Sequence, residues 1–209
     1  MSANTATYPA PDADQVRALW DQVQFTEVDR TVAHAEPVLN WLQHDRPKGG
    51  AHLQGFKIHG SSEFEWFARD HLPGNIAYIL PHPDLRTLLP DSFGITDPLS
   101  YKSSRRLRGW HYGASLELAP QWARAMYSGG FQTDLSNLSN EEQDSRAHRA
   151  LENASNLYSE LFGNRYSTIS FATSPDPWCA WFPGLFNITW AVHDRLEQVL
   201  WLLAVTDMD

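Results

Sequence analysis

The chain has 209 residues, with 25 acidic and 16 basic side chains, a net charge of −9 and one cysteine. That balance repels phosphate backbones and argues against a nucleic-acid partner; the lone Cys179 excludes an internal disulfide and fits a reducing, cytoplasmic compartment. No run of 18 apolar residues occurs, and MSANTATYPAPDAD has neither a basic start nor an apolar segment. Neither a membrane span nor a secretory signal is expected.

In chain order, residues 1–12 are small, polar and Pro-rich and read as a loose arm, leaving 13–209 as a single domain. Asp12 or Asp14 caps a helix starting near Ala13, with Val16, Leu19, Trp20 and Val23 at helical spacing. A second helix is predicted from Asp29 or Arg30 to His44, with Pro37 near its start or kinking it. DRPKGG (45–50) is a turn, and Leu53 to Gly60 a short strand. Ser61 or Ser62 caps a helix through SSEFEWFARDHL. Ile76 to Leu80 reads as a strand, and the proline-rich passage from Pro81 to Leu99 as an ordered surface loop. A strand from Trp110 to Leu118 and a short helix through Trp122 and Met126 follow.

The polar passage after Gly129 and Gly130 reads as an exposed excursion. Beyond it, Ser139 and Glu142 form a capping box, and Ala147, Ala150, Leu151, Ala154, Leu157, Tyr158 and Leu161 make the stripe of a long helix stopped at Gly163. The last 44 residues hold β-runs at Ser167 to Thr173, Trp178 to Phe182, Leu185 to His193 and Val199 to Asp207. In the last, Val199, Trp201, Leu203 and Val205 occupy one face and Leu200, Leu202 and Ala204 the other, so this strand is predicted to be central or covered on both sides. The fold class is α+β, in two or three layers, with a mainly antiparallel C-terminal sheet packed against helices.

Chemistry leaves fewer marks. Nine histidines show no HExxH spacing, no CxxC exists, and neither GxSxG nor a phosphate-binding glycine loop occurs, so no metal and no cofactor are predicted. Apolar neighbours make Cys179 an inert thiol. Two clusters stand out. Arg105, Arg106 and Arg108 precede Trp110, His111, Tyr112 and Glu117. On an extended strand Arg106, Arg108, Trp110 and Tyr112 share a side, which suits an anionic substrate, with Arg108, His111 and Glu117 as catalytic candidates and Arg105, Arg106, Trp110 and Tyr112 as binding candidates.

The second cluster is acidic: Asp194, Glu197, Asp207 and Asp209 in or beside the last hairpin, with Glu141, Glu142 and Asp144 opening the long helix. With some of the nine Trp, ten Phe and seven Tyr, such carboxylates make a negative, ring-studded surface for a basic protein. The expected role is therefore a non-catalytic acidic binding domain, of the kind bacteria use as an immunity protein against a cognate toxin; the alternative is a small-molecule enzyme built on the Arg/His/Glu cluster.

Overall fold

A computed structural model describes residues 12–61, 64, 79–80, 82–94, 110–175, 177–179, 181–182 and 186–207. Among them the chain forms α1 (Ala13–Trp20), β1 (Gln24–Glu27), α2 (Ala35–His44), β2 (Gly50–His59), α3 (Pro83–Leu88), β3 (His111–Ala114), α4 (Ser115–Ser128), α5 (Asn140–Phe162), β4 (Ile169–Ser174), β5 (Phe186–Asp194) and β6 (Val199–Asp207). The strands make one antiparallel sheet in the order β1-β2-β6-β5-β4-β3. This is an α+β fold, as the sequence predicts.

Strand β6 lies between β2 and β5, and all nine of its residues are buried, because each face of the sheet is covered. Val199, Trp201, Leu203 and Val205 pack under α2, α4 and α5 with Trp190, Val192 and Phe171. Leu200, Leu202 and Ala204 face the other way, toward α1, α3 and the rings of Phe56, Phe93, Trp110 and Trp178. The result is three layers, and the alternation in β6 is the pattern of a strand with two dry faces. Two tryptophans tie sheet to surroundings through their indole N–H groups: Trp178 donates to Thr189 and Trp190 to Gln121, each at 2.9 Å.

The long helix is as the capping box dictates. Ser139 accepts from the Glu142 backbone N–H while the Glu142 carboxylate accepts from that of Ser139, and the helix stops at Gly163, whose φ is +60°. Leu151 departs from the expected stripe: it is half exposed, while Phe162 is buried in its stead. Glu160 reaches across to α2 and accepts from the backbone N–H groups of Ala33 and His34, satisfying donors at an N-terminus that has no cap of its own.

Several expectations change. The second helix begins at Ala35, not Asp29, so Pro37 falls in its first turn where a missing N–H costs nothing. Ahead of it lies the unforeseen edge strand β1. Strand β2 starts at Gly50, and Gly49 just before it is required by close approach, since a Cβ there would sit 1.9 Å from the carbonyl oxygen of Thr206. Ile79 is helical and Leu80 lies in a turn, so no strand runs to Leu80. Of the passage from Pro81 to Leu99, the described residues 82–94 are no surface loop. They contain α3 and a short 3-10 turn (Asp91–Phe93), which bury Leu85, Leu89 and Phe93 against the sheet.

The strand from Trp110 is only four residues long, and α4 takes over at Ser115, with Pro120 in its first two turns. The described part of Trp178 to Phe182 is not extended either; Trp178 and Phe182 are buried four residues apart, their rings 5.5 Å from one another. Of the helix expected through SSEFEWFARDHL only Ser61 and Phe64 are described, and the Ser61 hydroxyl accepts from the Phe64 N–H as a cap would. The N-terminal arm lies outside the described residues.

Candidate functional site

Arg105, Arg106, Arg108 and Asp209 lie outside the described residues. Of their predicted neighbours, Trp110 is buried in the core beneath α3, whereas His111 and Tyr112 are exposed on the short edge strand β3. Glu117 is exposed in the first turn of α4, where it complements the helix dipole. His111 and Glu117 are not hydrogen-bonded to one another.

The acidic group divides between two ends of the sheet. Asp194 closes β5 at one end and Asp207 closes β6 at the other, roughly 27 Å away at ~3.4 Å per strand residue. Both are buried, with 1% and 2% of their surface exposed. Asp194 accepts from the Leu196 and Glu197 N–H groups, which shapes the β5–β6 turn, and pairs with Arg165 at 2.7 Å. Burial pushes its carboxyl above the ordinary range, while those N–H groups and Arg165 pull it back. Glu197 is exposed and shares Arg165 at 3.1 Å. Asp207 accepts from the Phe131 N–H at 2.5 Å and faces the buried Arg46. Asp194 and Asp207 thus act inside the protein.

The Asp207 contact positions a different surface. By holding the Phe131 backbone it anchors the connection between α4 and α5, which puts the Phe131 ring 5.5 Å from that of Phe186 at the start of β5. Both rings are more than half exposed, at 55% and 52%. The connection then turns through a 3-10 segment (Leu135–Asn137) and is fastened to α5 by Gln143, whose amide donates to the Leu135 and Leu138 carbonyls at 3.1 Å. Asp134, Glu141, Glu142 and Asp144 are exposed along this path.

Two of these carboxylates are held ionised. Hydrogen bonds from the Ser136 hydroxyl and N–H, with Asn137, keep Asp134 below the usual carboxylate range, and the Ser139 N–H and hydroxyl do the same for Glu142. Behind them, α2, α4 and α5 together carry seven carboxylates against three arginines, so the whole helical layer has the same sign as its Asp134–Asp144 end. Sequence reasoning named Glu141, Glu142 and Asp144 but missed Phe131, Phe186 and Asp134. An apolar ring inside FQTDLSNLSN, a passage otherwise too polar to need one, was the signal.

Among the described residues no group of three His, Cys, Asp or Glu is arranged to hold a metal, and no helix is long and apolar enough to cross a membrane. Cys179 is half-buried, and burial pushes its thiol up to about 11. At neutral pH its thiolate is scarce, and a disulfide reagent such as DTNB is expected to react with the native protein roughly 100-fold more slowly than with the urea-unfolded chain. Equal rates would mean that the thiol is neither desolvated nor shielded. Compared with family models, curated proteins and solved structures, the chain matches none.

Proposed function

We propose that this chain is a non-catalytic binding protein that docks a basic partner protein through the Phe131–Phe186 ring pair and the carboxylates Asp134, Glu141, Glu142 and Asp144. At its most specific the reading is of a bacterial immunity protein, cytoplasmic, that sequesters a cognate toxin. The observation that carries it is a pair of solvent-facing phenyl rings, one of them on the same connection that carries Asp134 and leads into Glu142, two carboxylates held ionised. Exposed rings supply the desolvated anchor that a protein interface needs, and surrounding like charges steer an oppositely charged partner and select against acidic ones. A chain of net charge −9 extends that field beyond the contact itself.

The test uses the proteins encoded beside this one, each purified and titrated by surface plasmon resonance. A basic partner is expected whose association rate falls at least about tenfold between low salt and half-molar salt. Charge reversal at Glu141 and Asp144 lowers the association rate, whereas Phe131→Ser or Phe186→Ser raises the dissociation rate and costs about 2 kcal/mol of affinity. Unchanged binding by all four variants would place the interface elsewhere, and catalytic turnover by the purified chain would remove the reading altogether.

A further inference from the structure

The end strand of a sheet presents a row of backbone N–H and C=O groups that another strand can join, and folded proteins guard such edges with charge, proline or a covering group. The two ends of this sheet differ in that respect. At one end, β1 contains Glu27; Val28 donates to Gly55 of β2, so alternation turns the Phe25 N–H outward, where the Asp84 carboxylate takes it at 3.2 Å. At the other end, β3 has no such guard. Residues 110–116, WHYGASL, hold no Asp, Glu, Lys, Arg or Pro in a chain of net charge −9. Among the described residues no strand pairs with β3 on its side away from β4.

The side chains of β3 are open as well. His111, Tyr112 and Ala114 are exposed, Tyr112 at 53%. Tyr112 and Ala114 are registered against Ala172 and Ser170 of β4, which puts them on the face of the sheet that Ala172 shares with Leu200 and Leu202. Gly113 points to the other face, where the Phe171 ring occupies the place of a side chain: a Cβ would sit 2.2 Å from it. Along the open edge a ring, a bare glycine and a methyl group follow one another.

We infer that two copies of this chain join edge to edge through β3, about a twofold axis at Gly113, and so fuse two six-stranded sheets into one continuous antiparallel sheet. A twofold axis normal to the sheet runs the added strand antiparallel and keeps like faces on one side, so the residue on the axis meets itself. With Gly113 opposite Gly113 of the second copy, each Tyr112 lies opposite Ala114 of the other molecule, whose methyl group leaves room for the ring. The occupant is a second copy because neither strand brings a charge into the pairing, whereas a basic partner finds no carboxylate along residues 110–116 to answer its own charge. Four residues per strand allow few ladder bonds, and two molecules of net charge −9 repel one another. The dimer is therefore weak, with a dissociation constant of roughly 100 µM, as befits an interface below ~1,200 Å². It is separate from the proposed docking surface and does not rest on it.

Sedimentation velocity of the full chain between about 10 µM and about 500 µM is expected to show a monomer–dimer equilibrium that tightens roughly tenfold from about 20 mM to about 500 mM salt, because screening relieves the repulsion. That response is opposite in sign to the one expected of a basic-partner complex. Tyr112→Lys and Ala114→Lys each set a charge into the edge at an exposed position; each should leave circular dichroism unchanged and weaken the dimer by about tenfold or more. The register is read by cross-linking in a Cys179→Ser background. Opposed residues of an antiparallel pair have Cα atoms about 4.5–5.5 Å apart, within disulfide reach, so a mixture of Tyr112→Cys and Ala114→Cys chains should oxidise to a linked dimer while either chain alone does not. A monomer at every concentration in high salt overturns the proposal. So does wild-type association in both lysine variants, a dimer that salt weakens, or cross-linking no better in the mixture than in the single chains.

Discussion

Arg46→Leu is expected to lower the unfolding free energy by about 3–5 kcal/mol. Arg46 lies in the turn after α2 with 5% of its surface exposed. Its guanidinium donates to the carbonyls of Leu42 at 3.0 Å, Ala125 at 3.1 Å and Gly129 at 2.7 Å. The last two belong to the end of α4, where carbonyl groups have no intrahelical donor and the helix dipole is negative. One side chain therefore terminates α2 and α4 together. Burial depresses the Arg46 pKa, and Asp207 and Asp45 oppose that depression while Arg146 adds to it.

Removing the guanidinium leaves the α4 carbonyls bare and Asp207 buried without a counter-charge. Leucine restores apolar volume but none of the donors. Lysine is no substitute, because an ammonium cannot span two helix ends as the planar fork does. Arg146, which pairs with Asp45 and donates to the Met126 and Tyr127 carbonyls, finishes the same helix end from the solvent side. With 15% of its side chain exposed, Arg146→Ala should cost less, about 2 kcal/mol. Urea unfolding followed by far-UV dichroism measures both; the midpoint should fall while the slope is kept. The double variant Arg46→Leu with Asp207→Asn should cost less than the sum of its parts, since the orphaned charge is gone. An Arg46→Leu midpoint within about 0.5 kcal/mol of wild type would show that water replaces the guanidinium and that the cluster is superficial.

That cluster also marks where sequence reading stops. The alternation in β6 and the Ser139/Glu142 box are local signals, each legible within a few residues, and both are found where the pattern places them. Strand β1 could not be read that way, because Gln24–Glu27 has a single buried residue, Phe25, and is a strand only because β2 pairs with it. In α3, prolines that suggested a loop are punctuation: Pro83 takes the first helical position after the His82 cap, and Pro90 follows its end. The run WCAWF has strand-like composition, yet the spacing of Trp178 and Phe182 buries both from an irregular segment.

For the functional residues the difficulty is long-range. Asp194 and Asp207 look like surface charge in sequence because nothing nearby announces Arg165, 29 positions away, or the Phe131 N–H, 76 positions away. The Phe131–Phe186 pair joins residues from separate elements and exists only once the connection is anchored. By contrast the high thiol pKa of Cys179 follows from its apolar neighbours alone, which is why that expectation and the structure agree.

Acidification from pH 7 to pH 5 is expected to cost the fold about 2 kcal/mol through one side chain, His193. In β5, His193 is registered against Ser170 of β4 and Leu200 of β6, on the same face as Ala191, and 2% of it is exposed. Neither ring nitrogen has a hydrogen-bond partner among the described residues. Burial, and to a smaller extent Arg195, lowers its pKa from 6.5 to about 3. Between those values the unfolded chain binds a proton that the folded one refuses, so stability rises with pH; it is complete above about 6.5 and lost progressively as pH falls toward 3. His82, whose pKa burial also lowers, acts in the same direction. Asp194 acts in the opposite one, because burial raises its pKa and lets the folded state take up that proton first.

His193→Leu separates these contributions. It removes two unsatisfied buried nitrogens, each an uncompensated desolvation, and should raise stability at pH 7 by about 1 kcal/mol. It should also flatten the pH 5–7 limb, leaving the smaller slope due to His82. Unfolding free energies measured in urea at half-unit pH steps give both quantities. Parallel limbs for wild type and variant would mean that the imidazole is solvated or bonded in the folded state, and a loss of stability at pH 7 would mean that its nitrogens are satisfied.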